Sequence, residues 1–363
     1  MAGLIGALVV DSHRDIASTV LPLAHQAAEQ VDAAVAGKES PAYDAERPVL
    51  SLADQPHPHI VPKSGSAVHP PATHFKFEGA SYSIQPHVDS SVYHGAQAST
   101  RLLVQPAGES ETQWSETYYR AFAEDPAQKP AFDDIVRQLR EIRSSAGLDS
   151  DEYLELIAKY VQSIPYDKAS FDSGKGRQRF PVETLVEGTG MCGDKSVLLA
   201  ALLEHEGYAA ALLDFSPEKH MAVGVQGPGN TFGDTGWLFL ETTGPCYVTD
   251  VPDSYLGGVK LTSEPDVITI GTGSKQYDGA QDVARIIEAR DSADAAANAL
   301  AASAKRELLT RSEANAINDK LDAAYHATVS LRSNAVDSKG RPVGTFMDRQ
   351  PAIKWVDHNA WWL

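Results

Sequence analysis

The chain has 363 residues, of which 42% are hydrophobic and 22% charged, and its formal net charge is −18. Those shares belong to an ordinary globular protein, with room for one large domain or two modest ones, and they exclude a fibrous or largely disordered chain. The acidity excludes general nucleic-acid binding, because it would repel a phosphate backbone and no basic patch reverses it.

The apolar run from Gly3 to Val10 is much shorter than a membrane span, and no basic residue precedes it as in a signal peptide. The expectation is a soluble, cytoplasmic chain with no membrane span. The two cysteines, Cys192 and Cys246, are too few for a disulfide framework. Residues 20–36 carry Val20, Leu23, Ala24, Ala27, Val31 and Val35 at helical spacing, with Pro22 in the first turn. From Asp54 to His74 the chain is dense in proline, histidine, serine and glycine, which predicts a loop or linker. Its histidines, His57, His59, His69 and His74, are separated by prolines, with no cysteine interleaved and no shared face for ligation, so neither a metal nor a cofactor is expected. Alternation of apolar and polar residues over 75–104, from Phe75, Phe77, Tyr82 and Ile84 to Leu102 and Val104, predicts strands. Helical periodicity follows over 131–146 and 150–163, the second with Ser150 as its capped start. Beyond residue 283 the chain is alanine-rich and helical in period, and it ends in WVDHNAWWL, which reads as a docking terminus.

The segment 163–243 carries the chemistry. Gly188 and Gly190 break the chain just before Cys192, and Val197, Leu198, Ala201 and Leu202 follow at helical spacing, so Cys192 opens a helix over 192–206. There the unpaired amides and the positive end of the helix dipole favour the thiolate, the form that attacks a carbonyl. A filler cysteine would sit within the apolar stripe, whereas this one stands ahead of it, between Met191 and Gly193-Asp194-Lys195. Tyr208 to Phe215 reads as a strand, HMAVGV from His220 as another, and GWLFLE ending at Glu241 as a third after a turn-rich loop. Setting Val225 opposite Gly236 also sets His220 opposite Glu241, within reach of a hydrogen bond.

Together PVETL, the G-x-C-x-D-K turn, LLAALL, HMAVGV and the terminal ETT make the segment resemble a transglutaminase-like domain of the microbial, archaeal type. The likeness covers roughly residues 130–255 and extends back towards FEGASYSI. It implies an α+β fold with a papain-like core, in which the helix bearing the cysteine packs on an antiparallel sheet between flanking helical and β elements. It also implies a triad of Cys192 as nucleophile, His220 as base and Glu241 as the residue that orients the histidine. Met191 departs from the pattern, since relatives commonly carry an acidic residue before the cysteine. The implied chemistry is acyl transfer on a peptide or carboxamide bond through a thioester, released by water in a protease or amidase and by an amine in a transglutaminase. The rival reading is a non-catalytic interaction module that keeps the fold.

For the neighbours, simpler roles are expected. Glu183 pairs with Lys195 or Arg177 and fixes a loop, Asp194 is structural, His205 is solvated on a helix face, and Cys246 is an inert thiol. The expected organisation is an N-terminal helix and linker over 1–74, a β-element over 75–110, a catalytic core over 111–262 and a C-terminal helical tail over 263–363.

Overall fold

A computed structural model describes residues 56–288 except 78, 79, 107, 175, 256 and 257, together with 291, 295, 312, 313, 315, 316 and 319. The helix expected over 20–36 and the aromatic terminus lie outside the described residues. Within them the protein mixes helices with antiparallel sheet. A hairpin of β1 (Thr73–Phe77) and β2 (Ala80–Ile84) comes first. Six helices follow: α1 (Ser90–Ala98), α2 (Glu111–Ala123), α3 (Lys129–Ala146), α4 (Ser150–Gln162), α5 (Lys168–Ser173) and α6 (Pro181–Glu187). Then come α7 (Cys192–His205), β3 (Ala210–Phe215), β4 (His220–Val225), β5 (Leu238–Leu240) and β6 (Asp266–Ile270). The last four strands form one sheet in the order β5-β4-β3-β6, with every neighbouring pair antiparallel.

The centre of the fold is α7. An isolated surface helix needs a polar face, but the run VLLAALL leaves this one apolar nearly all round, and such a helix is stable only when it is surrounded. Every residue from Cys192 to Leu203 is buried. One side lies on β3 and β4, while α4, α6 and α2 cover the rest. Burying a leucine or valine of this run contributes about 1.5–3 kcal/mol, so α7 supplies much of the driving force that assembles the elements around it. The sheet is itself covered on both faces. Leu212, Val223, Val225, Leu240 and Ile268 belong to the main core, and Leu213, Phe215, Ala222 and Phe239 form a second cluster under Phe232, Trp237 and Leu261.

Helix α4 starts at Ser150, but its cap is Asp149, whose side chain accepts from the backbone N–H of Asp151 and Glu152 while Glu152 accepts from the Asp149 N–H. That reciprocal arrangement satisfies donors a helix end would otherwise leave open. The strand expectation for 75–104 holds only for its first part. Residues 90–98 form α1, capped by Asp89, and Leu102 and Val104 are exposed without regular structure. Alternation over a few residues did not separate a half-buried strand from a loop whose apolar residues face alternately outward, and helix caps override weak strand propensity.

Residues 56–72 of the proline- and histidine-rich stretch have no regular structure, as the composition predicts, yet they are fixed to the body as a strap that runs into β1. Ile60 is buried, and its N–H donates to the Asp125 carboxylate at 2.8 Å. The same carboxylate meets His59 Nδ1 at 2.9 Å and accepts from the Ala127 N–H at 3.0 Å. Further on, Lys63 N–H donates to the Ser91 carbonyl and Val68 N–H to the Ser90 hydroxyl. Proline removes backbone donors from such a strap, and the N–H groups of Ile60, Lys63 and Val68 are among those that tie it to the body. Among the described residues no helix is long and apolar enough to cross a membrane.

Asp125 therefore joins the strap to the start of α3, and Asp125→Ala should lower unfolding stability in urea by about 2 kcal/mol, the cost of orphaning buried N–H groups. An unchanged midpoint and slope would mean that the strap does not depend on this carboxylate.

Candidate active site

The N-terminus of α7 is built before the cysteine arrives. Gly188 ends α6 in the left-handed conformation, with φ at 65°. Gly190 then passes so close to the next helix that a Cβ there would come within 3.0 to 3.2 Å of Thr184, Lys195 and Asp194. The Asp194 carboxylate reaches back to accept from the Met191 N–H at 3.0 Å and from the Arg179 N–H at 2.9 Å. Asp194 thus has the structural role expected of it, as the brace of the turn that presents Cys192. The Arg179 guanidinium lies 2.6 Å from Asp167 and 3.0 Å from Glu187, closing the turn from outside.

Helix α7 is locked to the sheet one turn further on. The buried Ser196 hydroxyl donates to the Met221 carbonyl of β4 at 3.0 Å and bonds the Thr242 hydroxyl at 3.0 Å, next to Glu241. This single side chain sets the distance between the start of the helix and the ends of β4 and β5.

On the sheet, β4 and β5 pair Val223 with Leu240 and Val225 with Leu238. The register is two residues away from the expected pairing of Val225 with Gly236, so His220 and Glu241 are diagonal neighbours and not directly opposed. The reason lies in the loop. Gly236 has φ at 74°, and Trp237 is held in the turn by the hydrogen bond from Phe232 N–H to its carbonyl at 2.8 Å, so pairing starts at Leu238. A slip of one residue would have sent the two side chains to opposite faces, whereas a slip of two preserves the face. His220 Nε2 and Glu241 Oε2 are 3.0 Å apart, both nearly inaccessible to solvent. The other carboxylate oxygen, Oε1, accepts from the N–H groups of Thr242 and Thr243 at 2.9 and 2.7 Å and from the Thr243 hydroxyl at 2.6 Å.

The Cys192 side chain shares a cleft with the His220 ring and is near enough to raise its pKa. With Nε2 occupied by Glu241, Nδ1 is the nitrogen left to serve the thiol. Cys192 is buried, and its Sγ lies 3.9 Å from the Lys219 carbonyl. Lys219 occupies the left-handed region with φ at 54°, an unusual conformation for a residue with a side chain, at the corner that turns the chain into His220. The three residues singled out in the sequence are therefore brought together. Cys192 and His220 open on a cleft of about 520 Å³, lined also by Tyr166, Phe171, Thr243, Tyr255 and Val259 among others, while Glu241 is buried and does not line it.

Charge is strongly organised here. Burial opposes the His220 imidazolium, but the Cys192 side chain, the hydrogen bond to Glu241 and the charges of both outweigh burial and raise its pKa from 6.5 to about 10. Burial likewise pushes the Glu241 carboxyl up, but the hydrogen bond and charge of His220, with the Thr243 donors, bring it down to about 2. The pair is ionic across the ordinary range of pH.

Several residues of the site left no mark in the sequence. Tyr255 lays its ring 4.2 Å from that of His220, and its hydroxyl is buried without a hydrogen bond of ordinary geometry among the described residues. Burial and the nearby Glu241 charge raise its pKa. It arrives on a loop whose far end is tied down by the Glu218 carboxylate, which accepts from the N–H and hydroxyl groups of both Thr262 and Ser263. Lys195 was expected only as a partner for Glu183. In the structure its ammonium is fully buried and donates to the carbonyls of Gln162 at 3.2 Å and Ile164 at 2.7 Å. Glu183 is held by Arg177, one of its two expected partners, at 2.6 Å and by Arg101 at 2.5 Å, which comes in from beyond α1.

The remaining candidates lie elsewhere. His205 ends α7, about 20 Å of helix away from Cys192, and is not solvated as expected but bonded to Asp133 of α3 at 2.8 Å. Cys246 is partly exposed, and its carbonyl accepts from the Gln162 side chain at 3.0 Å.

No family model matches the chain, and no curated protein matches it. A solved structure described as "Crystal structure of a TGase" aligns with a TM-score of 0.26 at 15% identity, over 42% of this chain and 41% of that one. The chain thus spans about two fifths of that protein's length, and a likeness at this level says nothing about the site.

The ionic pair leaves a signature in stability. Glu241 has a lowered folded pKa, so its contribution is present above about pH 4.5 and is lost as pH falls through about 2. His220 has a raised one, so its contribution is present below about pH 6.5 and is lost as pH rises through about 10. The difference in melting temperature between the wild type and Glu241→Gln should peak between about pH 4.5 and 6.5 and shrink on both sides. A difference that stays flat from about pH 3 to 9.5 in calorimetry would contradict an ionic pair.

Proposed function

We propose that the protein is a cysteine acyl-transfer enzyme with a papain-like, transglutaminase-like core, acting on peptide or carboxamide bonds of protein or peptide substrates. The observation that supports this most is the buried His220–Glu241 pair, 3.0 Å apart, with the imidazole sharing a cleft with a cysteine at a helix N-terminus. Cys192 is the nucleophile, His220 the acid and base, and Glu241 the group that orients and charges the ring.

In the resting site the thiol proton rests on His220 Nδ1, favoured by the Glu241 carboxylate behind the ring and by the dipole of α7. The thiolate attacks the carbonyl carbon, forming a C–S bond, and the negative charge that develops on oxygen faces the Cys192 N–H at the open end of the helix. The C–N bond then breaks as Nδ1 gives its proton to the leaving nitrogen, and a thioester remains on Cys192. Water or an amine enters next, gives a proton to Nδ1 and attacks the thioester, and the thiolate leaves. Met191, in place of an acidic residue, leaves no carboxylate on the adjacent side chain to oppose the thiolate.

The role of Glu241 follows from its hydrogen bonds. In Glu241→Gln the amide oxygen can replace Oε1 towards the threonine donors, which turns the NH₂ group towards His220. Nε2 must then accept, and the ring carries its proton on Nδ1, where it can no longer take one from Cys192. Glu241→Gln should fold and slow acyl transfer by about 10³- to 10⁴-fold, and Glu241→Asp should fall between, limited by reach. The test is to profile peptide libraries with and without amine donors while trapping the intermediate on Cys192 by mass spectrometry. No acylated Cys192 and no turnover with any peptide or carboxamide would make the chain a non-catalytic module.

A further inference from the structure

The formal charges of the reactive site do not cancel. Thiolate and imidazolium balance each other, and Glu241 adds a second negative charge that is almost completely enclosed. A site with one excess negative charge in a medium of low polarisability is costly, and the ordinary outcome is that a group takes up a proton and the thiolate is lost. Something near the site must offset that charge.

Lys195 is the cation in position. It follows Cys192 by three residues on α7, so the two side chains lie on the same side of the helix one turn apart. The Lys195 side chain is wholly buried, and its donors go to the Gln162 and Ile164 carbonyls at the end of α4 and just beyond it, not to a carboxylate. The same Gln162 holds the Glu241 backbone, donating from Nε2 to the Glu241 carbonyl at 2.9 Å. Lysine is seldom buried without a partner, because the ammonium loses its hydration; two carbonyl oxygens return only part of that loss. Burial accordingly lowers the Lys195 pKa to about 7, and it is held that high by the charges of Glu241 and Cys192.

We propose that Lys195 is a positioning residue whose buried ammonium balances the excess negative charge of Glu241 and the Cys192 thiolate and so keeps Cys192 ionised. This rests on the acyl-transfer reading, in which the thiolate is the reacting form. Linkage then works both ways: the anions raise the Lys195 pKa above the level that burial alone would set, and the protonated ammonium favours the ionised thiol. Ser196, its neighbour, fixes where the helix meets the sheet; Lys195 fixes the charge at the same turn. No contact with substrate is needed, because Lys195 lies behind the site and not on the cleft.

The experiment is the pH dependence of iodoacetamide alkylation of Cys192 in the full chain, with Cys246 as internal control. The wild type is compared with Lys195→Gln, which keeps an N–H donor for the Ile164 carbonyl, and with Lys195→Met. In both variants the alkylation midpoint of Cys192 should rise by about one pH unit, about a tenfold loss of thiolate below the midpoint, with Cys246 unchanged. As a check that requires no mutation, ¹³C-lysine NMR of the wild type should show one lysine titrating well below the others and moving lower still once Cys192 is alkylated and its charge removed. A folded Lys195→Gln protein that keeps the wild-type midpoint, or a lysine spectrum indifferent to alkylation, overturns the proposal while the acyl-transfer reading stands. An ordinary thiol midpoint in the wild type overturns that reading, and the role of Lys195 with it.

Discussion

Helix α7 has no face that tolerates water, and the need to surround it organises the protein. The helices on one side and β3 and β4 on the other close over its apolar run, and the geometry of the site follows from where its first turn is left. Gly190 lets the chain pass at van der Waals distance, Asp194 accepts from the Met191 and Arg179 N–H groups, and Ser196 bonds to β4 and to the residue after Glu241. Packing alone would allow the helix to slide along the sheet; the Ser196 bonds give it one setting. A start of helix placed this way keeps an oriented set of backbone dipoles and a cysteine beside a histidine, with no cost of rearrangement when charge develops.

The electrostatics obey the same economy. Buried carboxylates occur repeatedly, and Glu183, Asp194 and Glu241 are each given several donors. Glu183 lies between two guanidinium groups and caps its own helix through the Phe180 N–H, and Asp194 carries two backbone N–H groups with Arg179 nearby. Glu241 accepts four hydrogen bonds on its two oxygens. Removing one partner from such a group leaves a charge stranded, so these side chains cannot vary singly without a large loss. The charges around Cys192 and Glu241 form one set with His220 and Lys195, and it is the set that is balanced.

Residues away from Cys192, His220 and Glu241 have comparable weight. Lys219 accepts a strained backbone so that the chain can turn into His220, and Glu218 beside it ties down the loop that carries Tyr255 over the imidazole. The ring on one side and the sheet on the other exclude water from the His220–Glu241 pair. A hydrogen-bonded ion pair gains strength in such surroundings, because little solvent competes for it.

The sequence by itself determined that a helix begins at Cys192, because glycines precede it and an apolar stripe follows. It also determined that His220 and Glu241 stand at the ends of two adjacent strands. Their common face survived an error of two residues in register, since side chains alternate with period 2. The pairing itself was decided by the turn at Gly236 and Trp237, whose hydrogen bonds run within the loop and leave no periodic trace. The strap around Ile60 and the second partner of Glu183 were equally beyond reach, because Asp125 and Arg101 come from more than sixty residues away. Lys195 makes the same point most sharply. In the sequence it is an ordinary polar residue at the start of a helix, and only burial brings its charge near those of Glu241 and Cys192.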